Sequence, residues 1–220
     1  MSKWTRRGIF LLLTTAWLGI AGHAHAAAVG AFLGLGREGI SGDAPPSTTY
    51  LGAIGGIAGL QGEIALTDGI ALSVQPMFSQ RRTTLTTATF SGETTHDLKL
   101  DYVSVPVVLK FSAARGRTYV AGGLDLGFLQ TAKITGNGLD EDIKDGFHPT
   151  DLGALVGFGV VFPIGGPNLT TEIRYVQGLT DLSKTPASAV DPAASSDLPD
   201  RFHSGGWQLT AGILFPFGKH

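Results

Sequence analysis

The 220-residue chain contains no cysteine, so it has no disulfide framework, no thiolate metal site and no cysteine nucleophile. It also lacks a charge imbalance: 16 basic and 18 acidic residues leave a formal net charge of -2. That excludes the basic field on which nucleic-acid binding leans, and no nucleic-acid partner is expected. Beyond residue 26 no apolar run approaches the roughly 20 residues that a membrane helix needs. Charged residues are sparse, at 15% of the chain. What the chain has instead is glycine, 32 residues without the three-residue period of collagen, and a hydrophobic fraction of 43%. That fraction supplies a large apolar surface, and the arrangement of its residues decides where the surface faces.

The N-terminus reads as a secretory signal. Lys3, Arg6 and Arg7 precede the apolar stretch GIFLLLTTAWLGIAG, and Ala24-His25-Ala26 is an A-x-A cleavage site. The apolar stretch is short for a membrane span, and small residues end it. Residues 1–26 are therefore expected to be removed, leaving 27–220 as one domain.

The mature chain shows apolar or alternating runs at 29–38, 51–66, 70–82, 98–112, 118–133, 151–163, 169–180 and 203–217. Most exceed the five or six residues usual for a globular strand and suit the roughly 9–11 of a tilted membrane strand. Three connections are tight: TDG (67–69), AARGR (113–117) and IGGPN (164–168). The other four are long and polar: GISGDAPPSTTY, TTLTTATFSGETTHD, ITGNGLDEDIKDGFHPT and DLSKTPASAVDPAASSDLPDRF. Long and short connections alternate, so a meander gathers every short turn and both termini at one end. A soluble sandwich has no reason to sort its loops in this way. The expected fold is all-β: an eight-stranded antiparallel up-and-down transmembrane barrel with short periplasmic turns and long extracellular loops.

Alternate strand residues face opposite sides, which assigns the two faces. In LDYVSVPVVLKF, Val103, Val105, Val107, Leu109 and Phe111 form an apolar face suited to lipid. Tyr102, Ser104, Pro106, Val108 and Lys110 face inward, while Asp101 shares the lipid parity at the loop end. The 70–82 run places Gln75, Met77 and Arg81 inward, and the 203–217 run sets Trp207, Leu209, Ile213 and Phe215 against Gln208 and Thr210. Charges inside a barrel need partners. Glu63, Gln75, Lys110, Asp125, Glu172 and Arg174 share inward positions, carry both signs, and are expected to form an interior polar network. Pro76 and Pro106 each remove one ladder hydrogen bond. Aromatics at the run ends fit two interfacial girdles: Phe111, Phe162, Phe215 and Phe217 at the turn side, Phe78 and Trp207 toward the loops.

The segments SVQPMFSQRRT, LDYVSVPVVLKF, YVAGGLDLGFL, DLGALVGFGVVF and TEIRYVQGLTDL resemble those of the PorT-like, "porin family" small outer-membrane β-barrel proteins. The resemblance spans roughly residues 51–217. Met77 departs from it, because the family often carries an acidic residue at or beside that place. So does the C-terminus, which runs past Phe217 to His220, where such barrels usually end on an aromatic. The resemblance implies an integral outer-membrane barrel, assembled by the barrel-assembly machinery and surrounded by lipopolysaccharide and other outer-membrane lipids. A structural role follows, in envelope integrity, surface recognition through the outer loops, or assistance to a secretion machine, with a protein partner at those loops.

Asp140, Glu141, Asp142 and Asp145 cluster in a glycine-flanked loop, as hard-cation sites do; their spacing departs from the EF-hand pattern, and a solvated acidic loop is the preferred reading over calcium. Arg81 and Arg82 stand where the third run meets its outer loop and are candidates for contact with lipopolysaccharide phosphate. His203 and Ser204, with His148 and Asp200 in neighbouring loops, raise a lipid hydrolase, but adjacent strand residues point apart, so His203 is badly placed to activate Ser204. No enzymatic activity and no cofactor are expected. An eight-stranded interior is filled by side chains, so an open porin is not expected either. The rival readings are a lipocalin-like barrel binding an apolar ligand, a lipid-modifying barrel enzyme and a small ion pore. A folded membrane barrel stays compact in detergent until heated. The outer-membrane fraction is thus expected to contain a band whose gel mobility changes on boiling; a periplasmic protein with no such change would favour the lipocalin-like reading.

Overall fold

A computed structural model describes residues 27–42, 48–89, 92–113, 117–136, 139–182 and 202–217. The signal segment, most of the loop after residue 182, Asp200 and the three terminal residues lie outside the described residues. The elements are β1 (Ala27–Gly42), β2 (Thr48–Thr67), β3 (Ile70–Val74), β4 (Met77–Thr89), β5 (Gly92–Ser112), β6 (Thr118–Gly136), β7 (Leu139–Asp142), a short 3-10 turn (Lys144–Gly146), β8 (Thr150–Pro163), β9 (Asn168–Gly178) and β10 (Phe202–Phe217). Every pairing is antiparallel, and β1 pairs with β10 from Ala27↔Phe217 to Gly42↔Phe202, which closes the ring. β3 and β4 are successive halves of one barrel strand, both lying between β2 and β5. β7 is a short addition to the outer end of β6. The ring therefore has eight strands, as the run count predicts.

The break between β3 and β4 falls at Gln75–Pro76, inside what the sequence presents as one run. Proline has no N–H to give the ladder, and the two residues are held instead by Leu60 N–H donating to Pro76 O and Gln75 N–H donating to Pro106 O, both at 2.9 Å. The turn after β8 is tight because Gly165 (φ 83°) and Gly166 (φ 138°) take backbone conformations that side chains disfavour.

The strands also run farther than expected. The threonine-rich stretch read as a loop is paired strand: β4 and β5 stay in register up to Thr89↔Gly92. Threonine is β-branched and suits a pleated sheet, so the polar character of the stretch conceals a hairpin.

This extension changes the barrel's polarity along its axis. In the lower part, Leu33, Leu60, Val107, Leu124, Val156 and Leu209 are exposed outside. Higher up, outside residues are Arg82, Thr84, Thr86, Asp97, Lys99 and Lys133, while Leu85, Leu98, Leu100, Leu129 and Ala132 pack inside with Ile40, Tyr102, Phe147 and Leu182. A bulge on β6, where Gln130 is the extra residue between the partners of Asp101 and Tyr102, lies at the change. On β6 it moves the inward set from Asp125, Gly127 and Leu129 to Ala132 and Ile134. Asp101, placed by parity at the lipid-facing loop end, is nearly buried there and pairs with Lys99 at 3.6 Å.

Leu33, 69% exposed at mid-height between Ala58 and Ala211, tests which solvent the lower exterior meets. Leu33→Arg is expected to cost about 2–4 kcal/mol in urea unfolding from lipid vesicles. Leu33→Phe should change little, and an indifferent arginine would mean that this face meets water.

Candidate functional site

The lower interior is an ionic layer at three connected heights. Uppermost is Arg81, 4% exposed, whose guanidinium meets Glu38 from β1 at 2.7 Å, Asp151 from β8 at 2.5 Å and Asp125 from β6 at 3.6 Å. It also donates to the Ser204 hydroxyl at 2.7 Å and lies 4.3 Å from the centroid of the Tyr102 ring. Ser204 in turn donates to Asp151 at 2.9 Å, and Thr180 donates to the other Asp151 oxygen at 2.7 Å. One cation thus gathers carboxylates from three strands, which would repel one another without it.

Below it lies Arg174 on β9, 1% exposed by its side chain. Its Nε donates to Gln208 Oε1 at 2.5 Å, Nη1 to Gln75 Oε1 at 2.7 Å, and Nη2 approaches the Met77 sulfur at 3.1 Å. Gln208 donates onward to the Glu38 carboxylate, tying this height to the one above. Glu172 stands 3.7 Å from Arg174 and accepts the Tyr119 hydroxyl at 2.8 Å. The lowest pair is Lys110 and Glu63, at 2.7 Å, with the ammonium 4.8 Å from the centre of the Tyr119 ring. A side chain on Gly159 would collide with that ring, so this glycine makes the room that Tyr119 occupies.

Glu63, Gln75, Lys110, Asp125, Glu172 and Arg174 all belong to this layer. Lys110 therefore sits inside an apolar-looking strand because its own face is the barrel interior. The sequence reading did not include Glu38, Asp151, Tyr119, Tyr102, Ser204 or Gln208 in the network, although each has inward parity; Glu38 and Asp151 sit at the ends of their runs, where parity is hardest to assign.

Arg81 corrects an expectation. Its place beside Arg82 at the run end suggests a shared lipopolysaccharide contact, yet neighbouring residues point apart and of the two Arg82 is the exposed one; Arg81 is enclosed by carboxylates. The acidic stretch keeps its solvated character but is partly strand. Asp140 and Asp142 lie on β7 and Asp145 in the following turn, all exposed. Asp142 accepts the Lys144 backbone N–H, and among the described residues no group of three or more His, Asp or Glu could hold a metal ion. Ser204 is buried in the ionic layer, while the His203 ring contacts Thr180 O at 2.9 Å. The two do not form a nucleophile–base pair.

A closed ring with an apolar exterior and an ionic interior defines an integral outer-membrane β-barrel. Residues 18–184 match the outer membrane protein beta-barrel domain family, and the chain belongs to that family. No curated protein matches the chain. Among solved structures it is similar to Neisserial surface protein A at 15% identity and a TM-score of 0.47, over 88% of this chain and 98% of that one. It is similar to Ail, the attachment invasion locus protein of Yersinia pestis, at 16% identity and a TM-score of 0.45, over 88% and 100%. A third similar structure is outer membrane protein AlkL in lipid bilayers, at 15% identity and a TM-score of 0.48, over 90% and 93%. At these identities the likeness is one of fold.

Removing the central cation exposes what it holds. Arg81→Ala is expected to lower stability by about 3–5 kcal/mol in urea unfolding from vesicles, because Glu38, Asp125 and Asp151 are left buried together. Arg81→Lys, which keeps the charge and loses the planar fork, should fall between that variant and the wild type.

Proposed function

We propose that the protein is a closed outer-membrane barrel with a structural and recognition role, neither an open porin nor an enzyme. One observation carries this reading: side chains fill the lumen, with Arg81 and Arg174 each tied to several strands across it. An eight-stranded ring leaves space for side chains and little else. Above the ionic layer, Leu85, Leu98, Leu100 and Phe147 are buried in an apolar cluster at the mouth. Against a lipid-modifying enzyme stands the use of Ser204 as an ionic-layer ligand, its hydroxyl held between Arg81 and Asp151 while the neighbouring His203 ring contacts Thr180 O. Against a lipocalin-like carrier stands the outward apolar face, the reverse of what an apolar ligand inside would need.

The outer end then carries the interaction, with a protein partner at the long loops. The resemblance to PorT-like proteins supports a place beside a secretion machine, with envelope integrity as the simpler role. Residues 1–26 would direct export through the inner membrane and be removed in that step, and insertion would use the barrel-assembly machinery. Planar-bilayer recording of the refolded protein tests the closed lumen. No steady conductance step is expected, and a stable ohmic step reproduced across preparations would reject the reading.

A further inference from the structure

The three heights of the ionic layer are not equally balanced. At the two lower ones Arg174 and Lys110 stand with Glu172 and Glu63, two cations with two carboxylates. At the upper height Arg81 meets three carboxylates, Glu38, Asp125 and Asp151. Neutral donors take up part of that surplus: Gln208 donates to Glu38, while Ser204 and Thr180 donate to Asp151. Asp125 has no such help. It is 2% exposed, its ion pair with Arg81 is the longest of the three, at 3.6 Å, and neither of its oxygens accepts a hydrogen bond. A carboxylate kept from water is costly unless charge and hydrogen bonds both compensate it.

Unused oxygens lie beside it. The Ser104 and Tyr102 hydroxyls are fully buried and, among the described residues, without a hydrogen-bond partner. Asp125 is opposite Pro106 and Gly127 is opposite Ser104, so Asp125 and Ser104 are diagonal neighbours with Cβ atoms about 7–8 Å apart. Gly127 leaves room between them: a Cβ there would stand 3.2 Å from the Tyr102 ring, 3.5 Å from Ser104 Oγ and 3.6 Å from Asp151 Cβ. Gly153, opposite Asp125 on β8, adds no side chain from the other wall. One side of the lumen thus gathers a carboxylate and two hydroxyls that do not reach one another directly.

We propose that Asp125, Ser104 and Tyr102 bind one monovalent metal cation, sodium or potassium, inside the lumen beside Arg81. One free carboxylate with hydroxyl oxygens suits a singly charged hard ion, whereas calcium takes about six to eight oxygens. The nearby guanidinium also repels a double charge more strongly than a single one. The test unfolds the protein, refolded in nonionic detergent, with urea at constant ionic strength in sodium chloride, potassium chloride or choline chloride. A cation held by the folded barrel alone stabilises it: at ten times its dissociation constant the folded-to-unfolded ratio should rise about tenfold over choline. Asp125→Asn should lose that dependence and Ser104→Ala should weaken it. Thallium(I) soaked into wild-type crystals gives a readout that needs no variant to fold, with an anomalous peak expected beside Asp125. Equal unfolding in the three salts, a dependence retained in Asp125→Asn, or no thallium peak at Asp125 would overturn the site and leave water on these oxygens. Calcium chloride acting at a hundredth of the sodium concentration, by about the same ratio, would overturn the monovalent assignment. An infrared carboxylic-acid band of the wild type that Asp125→Asn removes would put a proton in the cation's place and overturn the proposal as well.

Discussion

A guanidinium kept from water among three carboxylates is the constraint on which the barrel's interior depends. Arg81 belongs to β4 and its partners to β1, β6 and β8, so their separations fix how four strands stand around the lumen. Moving any one strand by a residue would turn its ligand outward and strand a charge against lipid. Backbone hydrogen bonds make any antiparallel register acceptable; the ionic layer makes one register acceptable. The link from Gln208 to Glu38 extends that specification to β9 through Arg174, and Tyr119 carries it to Lys110 and Glu63. Opposite charges in a medium of low polarity are costly to separate, so the layer acts as one unit.

Much of this was legible in the residues, because a two-residue period leaves few choices. Val103, Val107 and Leu109 could face lipid only if Ser104, Pro106 and Lys110 faced inward. The alternation of short and long connections gave the strand count and the sorting of turns. What could not be read was anything that altered the period. The β6 bulge exchanges inward for outward within one strand, and no residue type marks it. The threonine tract hid a paired hairpin, because threonine suits a loop in polarity and a strand in shape. Arg81 and Arg82 show a different limit: the period alone turns Arg81 inward, but position at the run end suggested otherwise. Both sit at a run end and look like an interfacial pair, yet adjacent positions on a strand belong to different environments. Glu38 and Asp151 were missed for a related reason: each lies beyond the last clear apolar neighbour of its run.

The glycines take on a physical role beyond composition. Gly159 faces Tyr119, and a side chain on Gly127 would crowd Tyr102 at 3.2 Å. Large aromatic rings cross a narrow lumen only where the facing strand offers no side chain, so bulk on one wall is matched by its absence on another. The outward positions bear no such demand and hold leucine, valine and phenylalanine.

The inversion of polarity along the axis has a consequence for how the protein sits. Below Tyr102 the wall is oily outside and charged within; above it the wall is wettable outside and oily within, like an ordinary soluble sheet closed on itself. Neither portion can exchange places with the other. Sinking would drag Arg82, Lys99 and Lys133 into hydrocarbon, and rising would bare Phe78, Val103 and Phe128 to water. The crossover is therefore a waterline written into the strands, and it fixes the depth of immersion without any anchor outside the barrel. What stands above that line is paired strand, with β4 and β5 in register up to Thr89↔Gly92, so the wall itself continues beyond the membrane surface.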